Sequence, residues 1–468
     1  MSEEATIDRR FDNAEYFILQ NPAAAICIDR IIQSSGIVRG GPIRANEIET
    51  IAGDAFVRKA LSSTLIRGLE LELLLVHLRK ALRRMPRQSV SDDILKLFCA
   101  LAQQCFINEY VYRIDDDEVR QIADECAVIL RQMDDGSAID PVMLATVAAY
   151  QPLHSLPDAV RLLERKWPPA VIELLNQQIA EPLQDRRDQE SIPAITAIDK
   201  RSLPVKQQYE ENPYPRWTLS RPLPMGIVPF DTDILIVGCG TGRQSCEIAQ
   251  VNPKARILAI DVSVVSLAYA RRKTRELGLR NIEYAQADVL KLGSIGRQFD
   301  HIEAIGVLHH VADPSMAWRI LLSLLRIGGT MRIGLYSETA RRVIVDAHAI
   351  IARDGYPPTP EGIRAIRQIM MLDQYRWKVI LATRDFYCMS GCRDLLFHAM
   401  EYRFDIPQMA AFLKEQNLQF LGFELSVDVI QLFLQRYPGR LLDLDCWHAF
   451  ELDNPATFRS MYQFVVRK

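Results

Sequence analysis

The sequence predicts a doubly wound α/β domain with a mostly parallel sheet, preceded by an all-α domain. Apolar residues at three- and four-residue spacing continue from the start of the chain to about residue 190, a period typical of helices. From residue 231 onward short apolar segments alternate with helical ones, which is typical of parallel strands joined by right-handed crossovers. A chain of 468 residues has room for two or three domains.

The composition is that of an ordinary globular protein. Charged residues make up 25% of the chain and the net charge is −3 at pH 7, so we expect no nucleic-acid partner. The 9 cysteines show no C-x-x-C spacing, which favours free thiols in a reducing compartment. The acidic N-terminus is unlike a signal peptide, and no apolar run approaches the ~18–20 residues of a membrane span. We therefore expect a cytoplasmic protein with no membrane span.

The first domain is predicted to span residues 1–190. Residues 60–82, 91–112 and 116–133 each carry apolar side chains at helical spacing. This domain exceeds what an enzyme acting on a small molecule needs, so we expect it to recognise a macromolecule or to form a homodimer. Residues 191–230 are rich in proline, which disfavours regular structure, and we expect an extended linker or lid there.

The second domain is predicted to span residues 231–468. Its predicted strands are Ile234–Val237, Ala255–Ile260, Ile282–Ala285, Phe299–Ile305, Thr330–Leu335, Gln419–Glu424 and Tyr462–Arg467. Its first predicted helices are Thr241–Val251, Val264–Leu277 and Pro314–Leu325. The strands are largely apolar, as expected where helices cover both faces of a sheet. Residues 337–419 are longer than one crossover requires, so we expect a helical insertion that forms a substrate lid.

A glycine-rich turn follows the first predicted strand. Gly238, Gly240 and Gly242 separate that strand from the next helix. Glycine permits a tight turn and the close approach of a ligand. The N-terminus of the helix offers N–H groups and a partial positive charge to an anion. Alone, this pattern indicates only a nucleotide-like ligand.

Two aspartates narrow this ligand to an adenosine. Asp261 ends the second predicted strand, where a carboxylate can accept hydrogen bonds from ribose hydroxyls. Asp288 follows the third strand and can accept a hydrogen bond from the adenine amine, with Val289 against the ring. Each aspartate taken singly is equally suited to cap a helix or a turn. Their order after the glycine turn favours the nucleoside site.

Successive motifs carry a family resemblance. They are Ile234–Gly242 (ILIVGCGTG), Asp261, Ala287–Val289 (ADV), Phe299-Asp300 and Val307–Pro314 (VLHHVADP). Together they resemble class I S-adenosylmethionine-dependent methyltransferases, especially the small-molecule branch that includes quinone-biosynthesis enzymes. The resemblance covers residues 231–336, with a matching end at 419–468, and implies a seven-stranded Rossmann-like sheet. It also implies S-adenosyl-L-methionine as cofactor. No His/Cys/carboxylate cluster has ligand spacing, so no metal is expected.

The same resemblance implies which residues contact the cofactor. They are Gly238, Cys239, Gly240, Gly242, Asp261, Val262, Asp288, Val289, Val307 and Leu308. The glycine turn is expected to hold the methionine moiety and its carboxylate. Cys239 is expected to be a packed residue rather than a nucleophile.

Methyl transfer from a sulfonium is an in-line displacement, so alignment can dominate and a dedicated base need not exist. His309 and His310 are the first candidates for a base, because imidazole titrates near ~6.5, and Tyr336 is a third. Either histidine is equally suited to pack the loop after the fourth strand. The residues expected to contact substrate or form the lid are Tyr209, Tyr214, Trp217, Tyr387, Arg393 and His398.

Several alternatives concern the acceptor and the activity. The acceptor is either a small molecule or a protein or peptide side chain. Asn212-Pro213-Tyr214 lacks the second proline of the Asn-Pro-Pro-Tyr motif, which argues against methylation of adenine N6 or a glutamine amide. The alternative that is not an enzyme is a cofactor-binding scaffold without turnover, whose helical domain mediates protein interaction. Leu308-His309-His310-Val311 disfavours a nicotinamide-dependent oxidoreductase.

A basic run follows the second predicted strand. Arg271, Arg272, Lys273 and Arg275 lie on the helix Val264–Leu277. The sequence predicts a solvated outer face for them.

Overall fold

A computed structural model describes residues 13–33, 43–218 and 231–468. Its contacts divide the chain into two compact units. The helical unit takes the described residues up to 184, with 216–218 and 354–395, and the sheet unit takes the rest. This division differs from the predicted borders at 190 and 230, because residues 185–215 belong to the sheet unit and 354–395 to the helical unit.

Helices are numbered here in chain order. They are α1 Ala14–Leu19, α2 Pro22–Gln33, α3 Ala45–Gly53, α4 Ala55–Ser63, α5 Leu69–Arg83, α6 Asp92–Ile107, α7 Asp116–Asp135, α8 Pro141–Ala148, α9 Pro169–Leu175, α10 Glu181–Gln189, α11 Leu203–Glu211, α12 Arg243–Val251, α13 Val264–Glu276, α14 Pro314–Leu324, α15 Arg342–Asp354, α16 Pro360–Leu372, α17 Gln374–Leu381, α18 Met389–Phe397, α19 Ile406–Glu415, α20 Val427–Arg436 and α21 Leu444–Asp453. In the described ranges, every helix is too short or too polar to cross a bilayer.

The helical spacing of residues 60–82 belongs to two helices, since α4 ends before the extended Thr64 and α5 begins after Gly68, whose φ of +100° lies outside the helical region. One prediction about helices was wrong. Residues 191–230 were expected to lack regular structure, yet they contain α11. Pro204 lies in the first turn of α11, where a missing N–H leaves no hydrogen bond unmade. Residues 219–230 lie outside the described ranges.

The insertion after the fifth strand is helical, and its middle part packs on the first helices of the chain. Arg367 of α16 is fully buried, and its Nη2 lies 2.6 Å from Oε2 of Glu72 on α5. It also donates to the carbonyl oxygens of Val111 and Phe386. A buried guanidinium needs such partners, because an unpaired one is strongly destabilising. These long-range contacts place residues 354–395 in the helical unit.

The sheet unit contains seven strands in the order β3-β2-β1-β4-β5-β7-β6. They are β1 Asp233–Val237, β2 Arg256–Asp261, β3 Ile282–Gln286, β4 Phe299–Ile305, β5 Leu325–Leu335, β6 Gln419–Phe423 and β7 Tyr462–Arg467. The first five are parallel, and β7 is antiparallel to β5 and β6. The predicted seven-stranded, mostly parallel sheet is confirmed, although β5 begins at Leu325 rather than Thr330.

Strand β1 lies at the centre of the site and is buried on both faces. Leu235 and Val237 belong to one core cluster, and Ile234 and Ile236 to the other. Alternate side chains of a strand point to opposite faces, which explains its continuous apolar run. The strand order reverses between β1 and β4. In open α/β sheets, ligands bind at the carboxyl ends of the strands beside this reversal.

Candidate cofactor site

The glycine turn and Asp261 form one hydrogen-bonded unit at the carboxyl ends of β1 and β2. Oδ2 of Asp261 accepts from the N–H of Gly240 at 2.8 Å, and Oδ1 accepts from the N–H of Ser263 at 2.9 Å. Asp261 is 7% exposed, and burial raises the pKa of its carboxyl. The structure thus brings together the two features that the sequence linked only by their order.

Three amides of the glycine turn are already bonded within the protein. The N–H of Gly240 donates to Asp261, that of Thr241 to the Tyr214 carbonyl at 3.2 Å, and that of Gly242 to the Cys239 carbonyl at 2.9 Å. The sequence predicted that the turn meets an anion. In this conformation these three N–H groups already donate to acceptors of the protein.

Residues 208–215, here called the cover segment, lie against the glycine turn. The carbonyls of Tyr214 and Pro215 accept from the N–H and the hydroxyl of Thr241, respectively. Gly240 has φ +52°, and a Cβ there would lie 2.3 Å from the Tyr214 oxygen. Only glycine fits between the turn and this segment.

The cover segment also contacts the end of β2. The carbonyl of Tyr209 accepts from the hydroxyls of Ser263 and Ser266, at 3.0 and 3.5 Å. The structure therefore places Tyr209 beside Asp261, and Tyr214 beside the glycine turn.

Asp288 serves as a cap and an anchor. Its Oδ1 accepts from the N–H of Leu290, and its Oδ2 from the N–H of Asp199, both at 2.9 Å. Its own N–H donates to Oγ1 of Thr196 at 2.8 Å. Asp288 is 1% exposed, so the capping role is present in this structure. Its contact with adenine stays a prediction.

The other predicted cofactor residues surround the ends of β1 and β4. A Cβ on Gly238 would lie 2.4 Å from Cγ2 of Val307, so these two residues meet closely. Leu308 is buried and Val262 half-buried. Cys239 is buried, and burial raises the pKa of its thiol well above the usual value. A thiol held in its neutral form is a poor nucleophile.

His309 lies inside the protein. It is fully buried, its ring stacks on Tyr336 with centroids 3.6 Å apart, and Arg341 lies 3.6 Å from the Tyr336 centroid. Burial, followed by the charge of Arg341, holds the pKa of His309 well below 6.5. A fully buried imidazole that resists protonation supports the packing role for His309 rather than proton removal.

His310 and His398 stack face to face. Their ring centroids are 3.5 Å apart with the planes inclined by 15°. Nδ1 of His310 lies 2.8 Å from the Met400 carbonyl oxygen, and burial lowers the pKa of His310. Nε2 of His398 lies 3.0 Å from the hydroxyl of Tyr209. The structure therefore groups His310, His398 and Tyr209.

Three of the predicted lid residues belong to the helical unit. Trp217 and Tyr387 are buried and Arg393 is half-buried. The Tyr387 hydroxyl donates to the Leu381 carbonyl at 2.8 Å, and burial raises its pKa to about 12. Their contact with a substrate stays a prediction.

The prediction that the basic run is a solvated face was wrong for two of its residues. Arg272 and Lys273 are buried. Nε of Arg272 lies 2.7 Å from Oδ1 of Asp185, and Arg275 pairs with Asp188. The run anchors residues 185–188 to the sheet unit, a role that local periodicity does not reveal.

Sequence reasoning also missed a buried polar network on β4. Glu303 is fully buried and accepts from Gln244 at 2.9 Å. His301 lies 2.9 Å from its Oε1, and Arg332 of β5 lies 3.5 Å from its Oε2. A glutamate two positions after a histidine, in a strand predicted to be covered on both faces, was the available signal, since buried carboxylates require partners.

Comparison with known proteins places this sheet among methyltransferases. Residues 231–354 match the family model described as a methyltransferase domain. A ubiquinone biosynthesis O-methyltransferase of Parvibaculum lavamentivorans is 33% identical over 24% of this chain and 44% of its own length. An uncharacterised protein of Synechococcus is 29% identical over 41% of this chain and 48% of its own length. The chain thus spans about half the length of the curated relatives it matches.

Solved structures give a weaker likeness. PKMT2 from Rickettsia typhi has a TM-score of 0.40 and 14% identity, over 50% of this chain and 48% of that one. The family match and the curated relatives support the predicted class, the Rossmann-like, S-adenosylmethionine-dependent methyltransferases, and S-adenosyl-L-methionine as its cofactor. Residues 231–354 of this chain form a methyltransferase domain of that class.

Proposed function

We propose that the chain transfers a methyl group from S-adenosyl-L-methionine to an acceptor by in-line displacement. The observation that supports this most is the hydrogen bond from the Gly240 N–H of the glycine turn to Asp261. Both residues lie inside the segment that matches the methyltransferase family. Asp261 is a buried carboxylate at the position suited to ribose hydroxyls. In this proposal the turn lies against the methionine moiety, and Asp288 and Val289 lie near the adenine.

When bound, S-adenosyl-L-methionine supplies an activated methyl group. The chain has to align the acceptor and exclude water from the reacting atoms. The cover segment lies against the glycine turn, where it can exclude water. His310 stays a candidate base, but burial holds its pKa well below 6.5, as it does that of His309, so alignment of the acceptor can dominate the proposed transfer. The Met400 carbonyl can only accept, so Nδ1 of His310 carries its proton and Nε2 keeps a basic lone pair. Tyr336 then supports His309 by stacking.

Calorimetric titration tests the cofactor. We expect the full chain to bind S-adenosylmethionine and S-adenosylhomocysteine but not NAD. Asp261→Asn keeps the shape of the side chain and removes its charge, so it should weaken both ligands by about tenfold or more, since hydrogen bonds to charged groups are worth roughly 1.5–3 kcal/mol. Asp443→Asn, at the cap of α21, is the matched control and should bind normally. Binding of NAD alone would contradict the proposal.

The acceptor is proposed to be a small molecule or a protein or peptide side chain. Incubating the protein and an extract with methyl-labelled cofactor distinguishes these, because the label enters either the small-molecule pool or a protein band. Label in neither pool, together with normal cofactor binding, would favour the non-catalytic scaffold. The helical unit is then the part that binds a partner, and sedimentation would detect a homodimer.

A further inference from the structure

A cavity of about 320 Å³ lies beside the outer strand of the sheet unit. Its walls are the last turns of α13 with Leu279, the part of β3 from Ile282 to Tyr284, and the segment that holds Ser191 and Pro193. Cavities of this size hold small ligands or the end of a peptide. None of these wall residues belongs to the candidate cofactor site, so the cavity is a second place where the sheet unit can bind a ligand.

The backbone of β3 beside the cavity has hydrogen-bonding groups without partners. Gln286 donates to the Pro193 carbonyl at 2.8 Å and accepts from the N–H of Ile195 at 3.0 Å, whereas the N–H of Ala287 donates to β2. Neighbouring residues thus use opposite edges of the strand, and Tyr284, two positions before Gln286, faces the same outer edge. Its N–H and C=O have no hydrogen-bond partner in the described ranges. In a longer ladder residue 193 would donate to this carbonyl, but proline has no N–H.

The cavity also contains a cation that pairs with no carboxylate in the described part of the chain. Nη1 of Arg271 donates to the Ser191 hydroxyl at 2.7 Å, which leaves most of the five guanidinium donors open. The other two charged side chains of the lining are paired, since Arg275 binds a carboxylate of α10 and Glu283 lies 3.1 Å from Arg297. The unpaired charge of Arg271 therefore favours an anionic group beside Ser191.

The chain itself limits how a further strand can pair with Tyr284. Residues 193–195 already occupy the outer edge at Gln286, so an added strand has to end beside Pro193. A strand parallel to β3 brings its carboxyl terminus to this end, next to Ser191 and Arg271. An antiparallel strand brings its amino terminus, whose positive charge the guanidinium repels. Charge therefore selects a parallel strand with a free C-terminal carboxylate.

We propose that this cavity binds the C-terminal end of a peptide, which adds a short parallel strand to the edge of β3 and places its carboxylate against Arg271 and Ser191. Main-chain hydrogen bonds at Tyr284 provide binding, and the charge-assisted bonds of Arg271 provide preference for a free carboxyl terminus. The partner is thus a protein whose C-terminus is accessible and extended. The inference does not depend on methyl transfer, because these residues lie outside the candidate cofactor site.

Calorimetric titration of the full chain with acetyl-Thr-Val-Thr-Val tests the carboxylate contact, since β-branched residues favour an extended strand. The peptide with a free carboxyl terminus should bind about tenfold or more tightly than its C-terminal amide. Arg271→Gln should weaken the free acid by a similar factor and leave the amide unchanged. Arg280→Gln is the matched control, because Arg280 is exposed and lies outside the cavity lining, and it should change neither ligand.

Methylation of the peptide backbone tests the added strand. Successive N–H groups of a strand face opposite edges. Of two peptides methylated on neighbouring nitrogens near the C-terminus, one should therefore lose binding and the other should bind like the unmodified peptide.

Three results would overturn the proposal. No binding of the free acid at millimolar concentration rules out the peptide site. Equal affinities of the acid and the amide, or an unchanged affinity in Arg271→Gln, rule out the carboxylate contact. Equal binding of both methylated peptides, or competition by acetate at the same concentration as the peptide, shows a site for small anions only.

Discussion

The backbone of the cover segment restricts position 240 of the glycine turn to glycine. The Tyr214 carbonyl lies where a Cβ would project, at 2.3 Å, and the N–H of Gly240 is held by Asp261 at 2.8 Å. The residue therefore lies between two fixed groups. Its φ of +52° adds a conformation that L residues rarely adopt.

Gly240→Ala should destabilise the protein more than a glycine substitution whose only cost is backbone strain. We expect about 3 kcal/mol or more for Gly240→Ala, since the new methyl group meets a fixed carbonyl as well as an unfavourable φ. The control is Gly278→Ala, with φ +69° and no heavy atom within 4 Å of the added Cβ, which should cost about 1 kcal/mol. Urea unfolding measures both. Equal losses would contradict the packing argument.

At the scale of elements, residues 185–199 are attached along the sheet unit by side chains that lie far away in the sequence. Arg272 of α13 binds Asp185. The carboxylate of Asp288 accepts from the N–H of Asp199 at 2.9 Å, and Ala194 bridges Gln286 at the edge of β3. This segment therefore covers the outer strand and engages the aspartate that was predicted to meet adenine.

Arg272→Ala should loosen this attachment. Removing Arg272 breaks a largely buried ion pair with Asp185, and we expect a loss of about 2 kcal/mol in unfolding free energy. Arg271→Ala is the matched control from the same helix. It removes an exposed hydrogen bond to Ser191 and should cost within about 0.5 kcal/mol. If Arg272→Ala were as mild as its neighbour, the anchoring role would be refuted.

The strands were predictable from the sequence because their signal is local. β4 and β7 have the predicted bounds, since an apolar run between turn residues depends on nearby positions alone. The attachment of residues 185–199 was not predictable from the sequence, because Arg272 and Asp185 are 87 residues apart. Each also lies in a charged segment whose composition is typical of an exposed helix. At the site, the pairing of the glycine turn with Asp261 was predictable from their order, whereas the hydrogen bond from the Thr241 N–H to the Tyr214 carbonyl was not.

At the scale of the whole molecule, the chain does not divide into two consecutive domains. Residues 354–395 belong with the first helices, held in part by the buried pair of Arg367 and Glu72. The apolar face of α16 includes Ile363, Ile366 and Met370, all buried. Helical periodicity predicted these helices but contains no information on which unit they join.

A fragment of residues 185–468 should therefore be poorly soluble on its own. It would expose Arg367 and the apolar face of α16, which pack in the helical unit of the full chain, and contiguous exposed apolar surface promotes association. Co-expression with residues 1–184 should restore soluble protein. Soluble yield and light scattering measure the effect. A monodisperse 185–468 fragment with cooperative melting would contradict it.

The connection of residues 354–395 to helices near the N-terminus also has a consequence for synthesis of the chain on the ribosome. Domains generally fold as units in the order in which they emerge. Here α16 and Arg367, the partner of Glu72, leave the ribosome only after most of the chain has been made, and β6 and β7 emerge later still. Neither unit can therefore be completed before these later segments emerge, and we expect the nascent protein to depend on chaperones for longer than a chain of two consecutive domains would.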